Sequence, residues 1–371
     1  MTISVNLNNL CLGFAGLGLI GGSIAKTVKR ISPSTRIIAY NRTHSVLEAA
    51  RAEGIIDVVC NEINDNFKEC DYIFLCMPVD YNSTYLDLIS KHMKKNCIIT
   101  DVGSVKTSIH ETVIKLGLED NFIGGHPMAG SEKTGYEAAT DRLLENAYYL
   151  ITPSATVSKT AIDNFYQFAK EIGTIPLILD YKKHDYYVSA ISHAPHVIAA
   201  SLVHLVKDSD NDEQIMKTIA AGGFKDTTRI SASSPVMWQQ ICMNNSENVC
   251  KVLDRYIDVL KNAKTIFETK DADKIYDFFD EAREYRSTLG QQRQNTHESY
   301  SLYCDIADET GAIAIFATLL AANQISIKNI GIIHNREFEQ GVLHVEFYNS
   351  SEYTKALTLL TDKGYSIIKH S

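Results

Sequence analysis

The chain has 371 residues, more than one hydrophobic core usually supports, so two or three domains are expected before any motif is read. Its 45% apolar and 22% charged residues are those of a globular protein that folds without disulfide staples. A formal net charge of -9 argues against nucleic acid or an anionic membrane as partner, so an anionic ligand would need a locally positive pocket.

Residues 1–10 lack the basic stretch, apolar segment and small-residue cleavage site of a secretory signal, and no later apolar run reaches bilayer-spanning length. A cytoplasmic protein is the expectation. The cysteines at 11, 60, 70, 76, 97, 242, 250 and 304 form no Cys-x-x-Cys pair and read as reduced, buried and mostly structural. Short apolar runs at 10–16, 36–40, 72–77, 97–101, 122–125, 148–151 and 175–179 alternate with helical stretches, the signature of βαβ units around a parallel sheet.

Beyond Tyr181 the periodicity becomes helical, over 185–207, 211–221, 235–268 and 272–292. The polar run 290–298 has no apolar face to bury and is a linker candidate. After it come a strand (300–307), a helix (311–323), two strands (327–335 and 341–347), a helix (350–363) and a last strand (365–369), the βαββαβ order of a ferredoxin-like unit. The expected fold is therefore a Rossmann-type α/β domain over 1–180, an all-α domain over 181–294 and a small α+β unit over 298–371. The helices at 189–206 and 235–260 carry more apolar surface than one small domain needs, which suggests a homodimer through the helical part.

Gly16-Leu17-Gly18-Leu19-Ile20-Gly21 follows an apolar strand and opens a helix, the context in which a GxGxxG pattern marks a dinucleotide site. Gly16 permits the tight turn, Gly18 the approach of a pyrophosphate, and Gly21 close packing of helix on strand. At the end of the second strand, where an acid usually accepts from the ribose of NAD, stand Asn41, Arg42 and Thr43. A guanidinium without a carboxylate suits NADP; equally, Asn41 could bond the ribose of NAD while Arg42 faces solvent or adenine. NAD+ and NADP+ both stay open.

Two further loops follow strand ends. In Asp101-Val102-Gly103-Ser104-Val105-Lys106, Ser104 either caps a helix starting at Val105 or turns its hydroxyl to a ligand. In 124–135 (GGHPMAGSEKTG), His126 directly follows an apolar strand and is fixed by Pro127, which favours a functional role over a solvated surface group. The helical part offers His184, His193 and His196, with Pro195 freeing the carbonyl of Ile191 and aiming His193 and His196 off the regular face. No third ligand stands at a spacing that would make the histidine pair a metal site. Further on, Gly222-Gly223-Phe224-Lys225-Asp226-Thr227-Thr228-Arg229-Ile230 and Met237-Trp238 suggest a cleft with Arg229 as a carboxylate clamp.

Together, GLGLIGGS, DVGSVK, GGHPMAGSEKTG, SHAPH and GGFKDTTRI with MW shortly after resemble the prephenate dehydrogenase family in the same order, over nearly the whole chain. The resemblance implies oxidative decarboxylation of prephenate to 4-hydroxyphenylpyruvate, with reduction of NAD+ or NADP+, in tyrosine biosynthesis. It implies His126 as the catalytic histidine, Ser104 beside it at the substrate ring, and Ser131, Glu132, His193, His196 and Arg229 as substrate-binding residues, Arg229 for a carboxylate. The C-terminal unit resembles an ACT domain through 308–311 and 325–330, which implies tyrosine as a feedback effector. An arogenate or cyclohexadienyl dehydrogenase fits the same residues. β-Hydroxyacid dehydrogenases fit less well, because Lys225 is followed one turn later by Arg229 where they carry an asparagine. A non-catalytic amino-acid sensor is the reading from another class, opposed by the intact His126, Ser104 and Arg229.

Overall fold

A computed structural model describes residues 7–77, 79–130, 133–289, 300–306, 309–333 and 341–368. Ser131, Glu132, Asp308 and the linker candidate at 290–298 lie outside the described residues. The chain divides into two compact units, Met1–Leu260 and Lys261–Ser371.

The first unit opens with β1 (Cys11–Ala15), α1 (Leu19–Ile31), β2 (Arg36–Tyr40), α2 (His44–Ala52), β3 (Val58–Cys60), β4 (Tyr72–Leu75), α3 (Val79–Ser90), β5 (Ile98–Asp101) and α4 (Thr107–Leu116). The five strands form one sheet in the order β3-β2-β1-β4-β5, all pairs parallel. β3 is absent from the sequence reading because its three residues give no periodic signal. Leu12, Phe14, Ile73 and Phe74 are fully buried, as expected of strands covered on both faces. The Phe14 and Phe74 rings stack at 5.0 Å between centroids. α1 buries Ile24, Ala25 and Val28 against this core, a spacing that keeps one face inward.

Next come β6 (Ile123–Pro127), β7 (Tyr148–Pro153), α5 (Lys159–Glu171) and β8 (Ile175–Ile178). They correct the expectation of a parallel sheet throughout: β6 runs antiparallel to β7, and only β7 and β8 are parallel. A single parallel bridge from Ile99 to Phe122 joins this sheet to β5. Among the described residues between β6 and β7 only a short 3-10 turn, Tyr136–Ala138, is helical, far from the long crossover helix typical of a parallel pair.

The helical region holds α6 (Tyr181–Val188), α7 (Ala194–Ser209), α8 (Ile215–Ile219), α9 (Gly222–Thr228), α10 (Pro235–Asn244) and α11 (Ser246–Thr269). The helix expected over 211–221 shortens to α8, and the one expected over 235–268 breaks at Asn245. A π-helical turn, Ser189–His193, bridges α6 and α7, and Pro195 lies in the first turn of α7, where its missing N–H costs nothing. The combined helix Tyr181–Ser209 is long and apolar enough to cross a membrane by length and composition, contrary to the sequence reading. Its buried His184, Asp185, Ser189 and His193 are hydrogen-bonded within the first unit.

The second unit contains the end of α11, then α12 (Ala272–Thr288), β9 (Ser301–Ile306), α13 (Ala312–Ala322), β10 (Ile327–Ile333), β11 (Gly341–Phe347), α14 (Ser350–Asp362) and β12 (Ile367–Ile368). Its sheet runs β10-β11-β9-β12, every pair antiparallel. Phe316 and Leu320 of α13 and Ala356 and Leu360 of α14 bury against Cys304 and Val345. Five cysteines are buried, including Cys304; Cys76 and Cys242 are half-buried, and Cys250 is exposed.

Candidate active site

Tyr40, Ala15, Leu75 and Asp101 stand opposite one another in register at the carboxyl ends of β2, β1, β4 and β5. β1 is flanked by β2 and β4, so the chain reverses its winding here, which is where open α/β sheets bind ligands. The Gly16 N–H donates to the Tyr40 carbonyl at 2.8 Å. A Cβ on Gly21 would lie 2.7 Å from the Gly16 carbonyl oxygen, so only glycine lets α1 pack this tightly. A Cβ on Gly18 would meet nothing within 4 Å, which leaves the open side of the turn free for a ligand. α1 starts at Leu19 with no side-chain cap and no acid in its first turn, so its N–H groups and dipole face that space. Leu19 and Ile20 are half-buried beside it. This cradle fits the pyrophosphate of a dinucleotide.

The second cluster starts one strand further along. β6 reaches the same sheet end because the Gly125 N–H donates to the Asp101 carboxylate at 3.2 Å. A Cβ on Gly125 would lie 2.6 Å from the Asp101 carbonyl oxygen, so this glycine lets the two strand ends touch. The next residue is His126, held in the β6–β7 ladder opposite Leu150 and only 8% exposed.

His126 Nδ1 lies 2.9 Å from His184 Nε2, and His184 Nδ1 lies 2.8 Å from Asp185 Oδ1. These contacts fix the protons. The carboxylate accepts from His184 Nδ1–H, so neutral His184 presents a lone pair at Nε2 and accepts from His126 Nδ1–H. His126 is thereby left with a lone pair at Nε2, the form of a general base. Burial holds the His126 imidazole well below the ordinary histidine range, and the nearby His184, Lys106 and His193 push the same way.

Asp185 is positioned by its helix and by α4. The Asp180 side chain accepts from the N–H groups of Lys182 and Lys183 at 3.0 Å, which starts α6 one turn earlier than expected. The Asp185 carboxylate accepts from the N–H groups of Lys106 and Thr107, each at 2.8 Å. It therefore caps α4 from another element. Burial alone would raise its pKa, but the bonds from His184, Thr107 and Lys106 outweigh that and lower it. Ser104 is not the cap, because α4 begins at Thr107; it is half-buried in the turn between β5 and α4.

Lys106, fully buried, donates to the Asp101 carboxylate and, at 2.8 Å, to the Gly125 carbonyl. It puts a positive charge beneath the strand that carries His126. Asn245, at the break between α10 and α11, places Nδ2 at 2.9 Å from the Asp185 carbonyl, 2.8 Å from Ser189 Oγ and 3.1 Å from His193 Nδ1, so that its two N–H groups are shared among the three. His193 is buried with its pKa lowered to about 4, chiefly by desolvation. His196 is half-buried and stacks on Trp238 at 3.6 Å between centroids, which joins the two motifs of α7 and α10. Arg229 is exposed at the start of a single-turn helix, Arg229–Ala232, packed on α7. The structure thus brings His126 and His193 into one neighbourhood and places His196 on the same helix as His193. Asp185, Lys106, Asp101 and Asn245 were not singled out as site residues from sequence, and His184 was noted without a role. His126 and His184 stand 58 positions apart, and no pattern in the intervening chain links them.

The chain belongs to the prephenate dehydrogenase family. Residues 24–175 match the family described as prephenate dehydrogenase, nucleotide-binding domain, and residues 180–281 match prephenate dehydrogenase, dimerization domain. It is 36% identical to prephenate dehydrogenase of Bacillus subtilis over 92% of this chain and 93% of that one. The corresponding enzyme of Lactococcus lactis subsp. cremoris is 33% identical over 93% of this chain and 96% of that one. A solved prephenate dehydrogenase from A. aeolicus, in complex with hydroxyphenyl propionate and NAD+, superposes with a TM-score of 0.72 at 28% identity. That likeness covers 78% of this chain and 100% of the solved one. The chain is accordingly a Rossmann-type NAD(P)-dependent oxidoreductase with a helical second part.

Proposed function

We propose that this chain oxidatively decarboxylates prephenate to 4-hydroxyphenylpyruvate with His126 as the base. The observation that carries this is the His126–His184–Asp185 series, which leaves a neutral imidazole with its lone pair at Nε2 at the sheet end that also carries the glycine turn. The nicotinamide, when bound, supplies the hydride acceptor for the hydroxyl-bearing ring carbon. His126 Nε2 accepts the hydroxyl proton as that carbon becomes a ketone, a role worth about 10²- to 10⁴-fold in rate. Asp185, through His184, offsets the charge that the imidazole then carries. The ring carboxylate leaves as carbon dioxide, and aromatisation makes the reaction effectively irreversible.

Ser104 bonds the reacting hydroxyl, Arg229 pairs with a substrate carboxylate, and His193 and His196 form the opposite wall. Ser131 and Glu132 complete the substrate side, a role that rests on sequence alone. The exposed Ile191, Leu205, Ile219, Val236 and Met243 suit burial in a homodimer through the helical domain at 181–294. The βαββαβ order of 298–371 supports a ferredoxin-like ACT unit that takes tyrosine as effector, following in sequence the Rossmann domain at 1–180 and the helical part, and a cytoplasmic protein suits these soluble metabolites. The test is an initial-rate comparison of prephenate and arogenate with NAD+ and NADP+, with and without tyrosine. Turnover of prephenate that tyrosine suppresses is expected. Turnover of arogenate alone would move the assignment to that substrate, and tyrosine binding without any turnover would favour a sensor.

A further inference from the structure

In a site of this topology a carboxylate at the tip of the second strand accepts from the adenosine ribose hydroxyls and repels a 2'-phosphate. Here the segment from Tyr40 to Leu47 contains no acidic residue. The Asn41 amide is engaged at both ends. Its Oδ1 accepts from the Leu17 N–H of the glycine turn at 3.0 Å, and its Nδ2 donates to the Thr43 carbonyl at 3.0 Å. Asn41 therefore ties the pyrophosphate turn to the strand tip without bringing a negative charge. What it has left to offer a ligand at Nδ2 is a second N–H, a donor, which suits the acceptor-only oxygens of a phosphate.

The neighbourhood has the matching sign. Arg42 is exposed beside Asn41, and its charge reaches the phenol of Tyr85, which is bonded to the Tyr40 hydroxyl at 3.0 Å. The next helix, α2, begins at His44 with no side-chain cap bond from Thr43 and no acid in its first turn. Its N-terminal dipole adds to the guanidinium instead of opposing it.

We propose that Asn41 and Arg42 admit a 2'-phosphate at the adenosine end, so that the chain binds NADP+ about as tightly as NAD+. This rests on the dinucleotide reading above. A guanidinium that pairs with the phosphate offsets the cost of desolvating it, and no carboxylate on the strand tip works against it.

Isothermal titration of the full chain with NAD+ and with NADP+ tests this without any turnover. The two dissociation constants are expected within about ten-fold of each other. Arg42→Ala should weaken NADP+ by about ten-fold or more and change NAD+ by less than about three-fold. Asn41→Asp keeps the acceptor for the Leu17 N–H, so the turn stays tied, while its charge should weaken NADP+ by at least about ten-fold. NADP+ binding more than about ten-fold weaker than NAD+ in the unaltered chain overturns the proposal, as does equal weakening of both nucleotides by Arg42→Ala. If neither nucleotide binds, the dinucleotide reading itself fails. Binding of both without turnover of prephenate upholds the proposal and defeats the substrate assignment instead.

Discussion

At the scale of single residues the account depends on proton placement. His126 must be neutral to accept a proton, and burial holds its pKa well below the usual histidine value. Hence kcat should stay level as pH falls through about 6.5 and decline only at more acid values, when the imidazole itself takes up a proton. Asp185→Asn should lower kcat by about 10²-fold or more, since an amide donating to His184 Nδ1 would reverse both imidazoles and leave His126 protonated at Nε2. A pH–rate profile with prephenate checks this, and a retained rate would remove Asp185 from the series. His126 was legible in sequence because it ends an apolar run and precedes proline, although the strand itself extends through it. His184 and Asp185 were not, because a buried pair one turn into a helix looks the same whether it orients a base or only caps α4.

At the scale of elements the α6–π turn–α7 helix organises the site, and Asn245 holds it. That side chain is 4% exposed and bonds the carbonyl of Asp185, Ser189 and His193. Asn245→Ala would remove the donor to His193 Nδ1, while the Asp185 carbonyl keeps its bond from Ser189 Oγ, at a cost of about 1–3 kcal/mol. A lowered melting temperature, with kcat reduced because His193 and Asp185 lose their tie, is the expected result; unchanged values would show that the break between α10 and α11 is held otherwise. Strand–helix alternation made β1, β2, β4 and β5 readable. It misread β6 and β7, whose apolar runs carry no sign of direction. Pro195 announced an irregular helix, and the π turn from Ser189 to His193 contains Ile191, the residue whose carbonyl the proline leaves without its helical donor.

At the scale of the molecule, buried neutral histidines tie stability to pH. Desolvation lowers His110 and His193 to about 4, and His126 and His184 are lowered as well. Each binds its proton more readily in the unfolded chain, near 6.5, than in the fold. Stability is therefore complete above about 6.5 and is lost as pH falls from there toward 4, by about 1.4 kcal/mol per pH unit for each such group. Thermal melts across that range should show the loss; a flat melting temperature would mean the imidazoles are charged in the folded chain.

The most direct measurement of the central claim is steady-state turnover of prephenate by His126→Asn, with nucleotide affinity measured on the same sample. Asparagine can keep the bond to His184 Nε2 while removing the base. The account predicts kcat lower by about 10²- to 10⁴-fold with nucleotide affinity preserved. An unchanged kcat would contradict it, because the proton would then leave the ring hydroxyl by another route.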